Sequence, residues 1–276
     1  MKSAKFDYTR PHDVRAAIHA LADALGEAKF LAGGQSLGPM LNLRLTRPKL
    51  LVDVSRIEAL RSIDVVNGSI RIGAAVTHAE IEDAGASLAR NAMLPAVARE
   101  IAYRTIRNRG TIGGSLAHAD PAADWPLALA ALDAVIIVNG PAGQRSIPSA
   151  RFMLAAFTTQ LADDEMIEAI IVPELSPSAR WGTYKFCKRT GEFPDAAAMA
   201  VFDPARRIAR VYVGALSGAP VPLDALARGI AQQGAVALTA TAVDRAIAMA
   251  VPELDAVGRK MHAATTMRAV QQALAS

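Results

Sequence analysis

Residues 29–38 read KFLAGGQSLG, and residues 111–124 read TIGGSLAHADPAAD. Both stretches put a serine-leucine pair just after two adjacent glycines. Taken alone, Gly33-Gly34 after an apolar run is a turn, because glycine reaches positive φ at little cost. Gly34-Gln35-Ser36-Leu37-Gly38 also fits G-x-S-x-G, which would make Ser36 an acyl-transfer nucleophile on a strand-to-helix elbow. His78, His118 and His262 could partner it, but that reading leaves the second stretch unexplained. Gly33 and Gly38 have Walker A spacing, yet Pro39-Met40 stand where lysine and a hydroxyl residue are required. No G-x-G-x-x-G follows a strand. The fourth reading joins the two stretches into one site. Glycines let backbone N–H groups approach an oxyanion, and a nearby hydroxyl adds a donor. Two such loops could clamp a pyrophosphate. Asp124, an acceptor, suits a ribose hydroxyl or an adenine amine rather than a phosphate. The pair then reads as a dinucleotide clamp built outside the Rossmann fold.

The flanking pattern is mixed α and β. Asp13–Gly26 carries apolar residues on one helical face. Residues 29–32 and 50–54 read as strands, and 37–43 as a short helix with Ser36 at its N-cap. In residues 62–73, two β-branched runs flank Asn67-Gly68, the preferred type I′ hairpin pair. Thr77-His-Ala-Glu80 matches a capping box. Residues 95–103 suggest a helix, and 135–138 and 166–172 suggest buried strands. Residues 174–180 read as a linker. Beyond it, residues 197–202 and 208–216 suggest antiparallel strands joined through Asp203-Pro204, and the chain from Leu223 on is helical and alanine-rich. The expected organisation is a larger α+β part up to about residue 176 and a smaller α+β part after it.

Composition narrows the function. Of the 276 residues, 52% are hydrophobic and 20% charged, so a real core is expected. The net charge is +4, but the basic residues are dispersed and aromatics make up only 5%, which argues against a nucleic-acid binder. One cysteine, Cys187, forbids an intrachain disulfide and any cluster held by several cysteines; it reads as a small buried residue. Histidine spacing suggests no metal in this chain. The start MKSAKFDYTR shows no secretory signal, and the longest apolar run, 128–138, is broken by Asp133, so no transmembrane segment and a cytoplasmic location are expected. Asp163-Asp164-Glu165 reads as a solvated turn.

LAGGQSL (31–37) followed by IRNRGTIGGSLAHADPAADWP (106–126) closely resembles the FAD-binding medium subunit of molybdenum hydroxylases, a family that includes carbon monoxide dehydrogenase and xanthine dehydrogenase. FDYTRPHDVRAAIHAL (6–21) and YKFCKRTGEFPDAAAMAV (184–201) extend the resemblance over most of the chain. It implies an α+β fold: a vanillyl-alcohol-oxidase-type (PCMH-type) FAD-binding domain over 1–176, in subdomains of about 1–54 and 55–176. A small α+β C-terminal domain, 177–276, with a three-stranded antiparallel sheet would follow. It implies FAD in this chain, with molybdopterin in a large partner subunit and two [2Fe–2S] clusters in a small one, assembled as a dimer of heterotrimers. Electrons would pass from those clusters through FAD to an external acceptor, so no catalytic acid–base pair is needed.

By match to the family motif, Ala32, Gly33, Gly34, Gln35, Ser36 and Leu37 would wrap the pyrophosphate and ribityl chain. Thr111, Gly114 and Ser115 would complete the clamp, and Asp124 would bind the adenosine part, while Asp120 either joins the site or caps its own turn. Ile167 would touch the flavin through its backbone. Lys185 would sit near the flavin ring, where a cation raises the flavin potential. Phe193 could cover one ring face, although Glu192 and Pro194-Asp195 depart from the family pattern. Lys29 and Phe30 either touch the flavin or finish a strand, and Arg107-Asn108-Arg109 is a family feature whose role would be loop bracing. The alternatives are a free-standing FAD oxidoreductase of the same fold and a serine hydrolase using Ser36.

Overall fold

Three short segments, Asp7–Thr9 (β1), Ala28–Leu31 (β2) and Leu50–Asp53 (β3), form a parallel sheet in the order β1-β3-β2. In the computed structural model, which describes residues 2–275, helix α1 (Val14–Ala22) links the first two strands. The Asp13 carboxylate caps α1 by accepting the Ala16 N–H at 2.7 Å. The α1 stripe of Ala17, Ile18 and Leu21 packs into a cluster with Val52 and Val54. The chain leaves β2 through the first glycine loop and enters α2 (Leu37–Asn42). Ser36 stands at the N-cap as expected but makes no side-chain capping bond.

The Asn67-Gly68 hairpin forms between β4 (Ile63–Val66) and β5 (Ser69–Gly73). Asn67 at φ +52° and Gly68 at φ +74° supply the two positive φ angles of a type I′ turn. Thr77 then caps α3 (His78–Asp83) with both halves of the capping box made. Helices α4 (Met93–Arg99), α5 (Arg104–Arg107), α6 (Ile112–His118) and α7 (Asp124–Ala131) follow before the chain returns to strand. The α4 helix stops short of the expected residue 103, and Ala102 at φ +43° turns the chain away.

The return runs through β6 (Val135–Gly140), β7 (Gly143–Pro148), α8 (Ser149–Phe152), the small ribbon β8 (Met153–Ala155) and β9 (Thr158–Thr159), and β10 (Met166–Pro173). The five long strands make an antiparallel sheet in the order β4-β5-β10-β6-β7. After Asp124, α7 is buried at every position, so it lies inside the core rather than on it. Glu165, expected in a solvated turn, instead holds Arg145 at 2.7 Å and accepts the Ala162 N–H.

The C-terminal part holds β11 (Arg180–Phe186), β12 (Ala196–Asp203), β13 (Ile208–Gly214) and β14 (Val221–Pro222), then α9 (Asp224–Gln233), α10 (Ala240–Ala250) and α11 (Ala256–Leu274). The sheet is antiparallel with four strands, not the three expected. The extra strand, β14, is two residues long and includes a proline, too short to show a period-two pattern. Every β12 residue is buried. Ala197, Met199 and Val201 join the core that holds α7, while Ala198, Ala200 and Phe202 join the cluster formed with α9, α10 and α11. The alanines let both layers come close. At Gly182 the approach is closest: a Cβ there would lie 2.0 Å from the Ala269 carbonyl oxygen.

Residues 174–180 are not a free linker. Ser176 and Ser178 donate their hydroxyls to the Asp203 carboxylate at 2.6 and 2.7 Å.

Candidate functional site

The two glycine stretches meet. A Cβ on Gly33 would lie 2.1 Å from the carbonyl oxygen of Arg109, so Gly33 is small because the second loop rests against it. Gly34 has φ +71°, a left-handed turn conformation. The Gln35 amide donates to the Gly33 carbonyl at 3.0 Å, and the Gly38 N–H donates to the Gly34 carbonyl at 2.9 Å, which closes the loop. Among the described residues, the backbone N–H groups of Gly33, Gly34, Gln35, Ser36 and Leu37 find no protein acceptor. Buried backbone donors are nearly always paired, so the buried Gly33 N–H calls for an acceptor, and the half-buried or exposed amides that follow it are open to one from outside the chain.

The second loop is built differently. The N–H groups of Ile112 and Gly113 donate to the carbonyls of Val76 and Ala74, both at 3.0 Å. The Gly114 N–H goes to Thr111 Oγ1 at 3.0 Å, and the Ser115 N–H goes to the Thr111 carbonyl. Gly113 is small because a Cβ would lie 2.6 Å from that of Ala74. The first loop therefore presents backbone, while the second spends its amides internally and offers the Ser115 side chain and the open edge at Gly114. Arg107 anchors the turn that precedes α5: its guanidinium bonds the carbonyls of Ile101 and Ala102 and pairs with Glu82 at 2.7 Å. Asp120 caps its own turn by accepting the Ala122 N–H.

Asp124 and Lys185, separated by 61 residues, come together. Lys185 Nζ lies 3.0 Å from Asp124 Oδ1, 3.2 Å from Asp124 Oδ2 and 2.9 Å from the Glu100 carbonyl. The two side chains are only 10% and 7% exposed. Burial raises the Asp124 pKa and the Lys185 charge opposes that shift. Two residues with separate expected roles thus form one buried pair. Ile167 is buried on β10, paired with Val138 just before a bulge at Glu168. The Glu168 carbonyl accepts the Ala74 N–H, which ties this part of β10 to the second loop through Ala74. Phe193 is 69% exposed on the loop after β11, where Gly191 packs against the Ala102 carbonyl. Lys29 is exposed and Phe30 half-buried on β2, as strand residues. Cys187 is half-buried at the start of the loop that carries Phe193.

Ser36 sits at φ −97°, ψ −49°, ordinary helical backbone rather than a strained elbow. Among the described residues no imidazole bonds it. His78 is taken by Trp125, His118 packs at a tilt against Phe157, and His262 lies between the carbonyls of Gly258 and Gly214. No group of three or more His, Cys, Asp or Glu among the described residues is placed to hold a metal.

Sequence reasoning passed over the role of His78. Its ring is buried behind the second loop, and Nδ1 accepts the Trp125 indole N–H at 3.0 Å. Burial, with a smaller push from Arg107, lowers its pKa to about 4. The neutral ring therefore carries its proton on Nε2. The available signal was its place inside the capping box, one residue after Thr77, which pairs with Thr111 of the second loop.

A run of backbone amides without a protein acceptor thus lies at the carboxyl edge of the small parallel sheet, with the loop between α5 and α6 resting against it at Arg109. The family described as "FAD binding domain in molybdopterin dehydrogenase" matches residues 4–175, and the chain belongs to it. The chain is 38% identical over 220 residues to 6-hydroxypseudooxynicotine dehydrogenase complex subunit alpha of Paenarthrobacter nicotinovorans, covering 79% of this chain and 74% of that one. It is 32% identical to the carbon monoxide dehydrogenase medium chain of Afipia carboxidovorans over 100% of this chain and 99% of that one. The structure of carbon monoxide dehydrogenase from Hydrogenophaga pseudoflava matches with a TM-score of 0.93 at 30% identity, over 99% and 98% of the two chains. The chain is thus an FAD-binding, medium-type subunit of a molybdenum-dependent oxidoreductase complex. No helix among the described residues is long and apolar enough to cross a membrane.

Proposed function

We propose that this chain is the electron-transfer arm of a cytoplasmic molybdenum hydroxylase. It accepts electrons from a small [2Fe–2S] subunit and delivers them to an external acceptor, while a large molybdopterin subunit oxidises the substrate. The assembly is a dimer of heterotrimers. Residues 1–176 hold FAD and 177–276 form the flavoprotein C-terminal domain. The observation that carries the cofactor site is the run of unpaired N–H groups from Gly33 to Leu37, set against the second loop through the Gly33–Arg109 contact.

Bound FAD supplies the exchange between two-electron and one-electron chemistry. The protein's part is to hold and tune it. The amides of Gly33–Leu37, following Ala32, donate to the pyrophosphate oxygens, and the Ser36 hydroxyl, exposed beside them, adds a donor. Thr111 shapes the second loop by capping Gly114, and Ser115 offers its hydroxyl across the cradle. Asp124 and Lys185 act as a pair: the carboxylate holds the ammonium beside the cradle, and the ammonium keeps a buried carboxylate tolerable. Ile167 packs its side chain into the core, which leaves only its backbone to meet the flavin.

The test compares FAD with FMN, which has one phosphate and no adenosine. The purified, flavin-depleted chain should take up FAD, show a flavin spectrum and gain thermal stability. At a hundredfold excess over Kd the gain is about 2.7 kcal/mol. FMN should give little. A chain that binds neither flavin, or FMN as well as FAD, would overturn the clamp reading. Purification of the untagged native protein separates a heterotrimer from a free-standing flavoprotein, which would come away alone. A fluorophosphonate probe should leave Ser36 unlabelled.

A further inference from the structure

We propose that His78 is a positioning residue for the dinucleotide cradle: held by Trp125 on one side and lying against Gly110 on the other, its ring keeps the second loop in register with the first. The inference rests on the FAD reading above and adds a residue that does not itself touch the cofactor.

Three observations converge on this ring. First, the backbone on either side of it is stitched to the second loop. The His78 N–H donates to the Gly110 carbonyl at 2.9 Å, Thr77 pairs with Thr111, and the Ile112 N–H returns to the Val76 carbonyl at 3.0 Å. Second, the ring takes the space a side chain at residue 110 would need. A Cβ on Gly110 would lie 2.8 Å from Nε2 and 2.9 Å from Cδ2. The residue before Gly110 is Arg109, whose carbonyl abuts Gly33. A shift of the ring therefore reaches the first loop through one peptide unit. Third, the opposite edge of the ring is fixed by the Trp125 indole, with Nε1 to Nδ1 at 3.0 Å. Trp125 directly follows Asp124, the partner of Lys185. One imidazole thus ties together the contact between the loops and the base of the buried ion pair.

The chemistry makes the residue type specific. An indole N–H only donates, so its partner must present an acceptor at the Nδ1 position. An apolar side chain of similar size would fill the space but leave the buried Trp125 N–H unpaired. The indole would then turn to find a partner, and Asp124 would turn with it. Asparagine places its Oδ1 near the imidazole Nδ1 position and can restore the bond.

The experiment measures FAD affinity of the full chain by flavin fluorescence and the asymmetry of the bound flavin by visible circular dichroism. It uses His78→Leu, His78→Asn, Trp125→Phe and the His78→Leu/Trp125→Phe double variant. His78→Leu should raise the Kd at least tenfold and change the visible dichroism. His78→Asn should return the Kd to within about threefold of wild type, and the double variant should be no worse than His78→Leu, because both changes remove one interaction. If His78→Leu fails to fold, Trp125→Phe decides, since it removes the donor while keeping an aromatic ring in place. A Kd within twofold of wild type for the folded His78→Leu, or for Trp125→Phe in its place, overturns the proposal, as does a His78→Asn variant no better than His78→Leu. A wild-type chain that binds no FAD strikes the parent reading, whereas wild-type binding with undisturbed variants strikes this one alone.

Discussion

Gly33 and Gly34 stand side by side and have different reasons to be glycine. Gly33 yields to the Arg109 carbonyl, and Gly34 takes a left-handed φ. The sequence made the loop legible, and pairing it with Thr111–Asp124 made the cradle legible. The reason for Gly33 was not legible, because it lies in a contact with a residue 76 positions away. Gly33→Ala should push the loops apart, weaken FAD binding at least tenfold and cost about 1–3 kcal/mol of stability. Gly38 meets nothing within 4 Å and lies in α2, so Gly38→Ala should stabilise by about 0.5–1 kcal/mol. Urea melts and flavin titrations of the two variants check this, and equal behaviour would remove the loop contact from the account.

His78 carries a second consequence at the same scale. Folded, its pKa is about 4, against 6.5 for an ordinary histidine. Between those values the unfolded chain binds a proton that the folded chain refuses, so stability falls as pH drops. The contribution is complete above pH 6.5, declines through the window and is gone below about pH 4, a loss on the order of 3 kcal/mol. Urea melts at stepped pH should show this slope in wild type and a shallower one in His78→Asn. Parallel slopes would mean the histidine is not held neutral.

At the scale of elements, the segments with strong local signals emerged near their expected places: the Asn-Gly hairpin, the capping box at Thr77, and the strands around Asp203-Pro204. The misses involve partners distant in the chain. Residues 174–180 have the composition of a linker, yet Asp203 anchors them. Burial alone would raise the Asp203 pKa, but hydrogen bonds from Ser176, Ser178 and the Arg206 N–H outweigh it and hold the carboxyl below its usual range. The contribution is present above the ordinary carboxylate range and lost as pH falls through the lowered value. Asp203→Ala strands two hydroxyls and should cost about 1–3 kcal/mol, while Ser176→Ala leaves one donor in place and should cost less. Chemical denaturation of the two variants orders them. A cost for Asp203→Ala no greater than for Ser176→Ala would show that the segment is held by something else.

At the scale of the whole molecule, β12 decides how independent the C-terminal part can be. Its alanines are plain in the sequence, but nothing in a period-two pattern says that both faces are buried at once. One face, with Ala197, Met199 and Val201, completes the core around α7; the other, with Ala198, Ala200 and Phe202, completes the cluster with the C-terminal helices. A fragment ending at residue 176 would lose that first face and Lys185, leaving Asp124 buried without its cation. Met199 and Val201 alone bring about 1.5–3 kcal/mol each when fully buried. An entire domain is worth only about 5–15 kcal/mol. The full chain should therefore unfold in one cooperative thermal transition. The 1–176 fragment should bind the dye ANS, melt broadly at lower temperature and take up FAD poorly. Restoring residues 177–276 as a separate chain should recover a sharp melt if β12 can dock from outside. A fragment that melts sharply at the temperature of the intact chain would show that the shared strand adds little, and that the FAD-binding part is a self-sufficient unit.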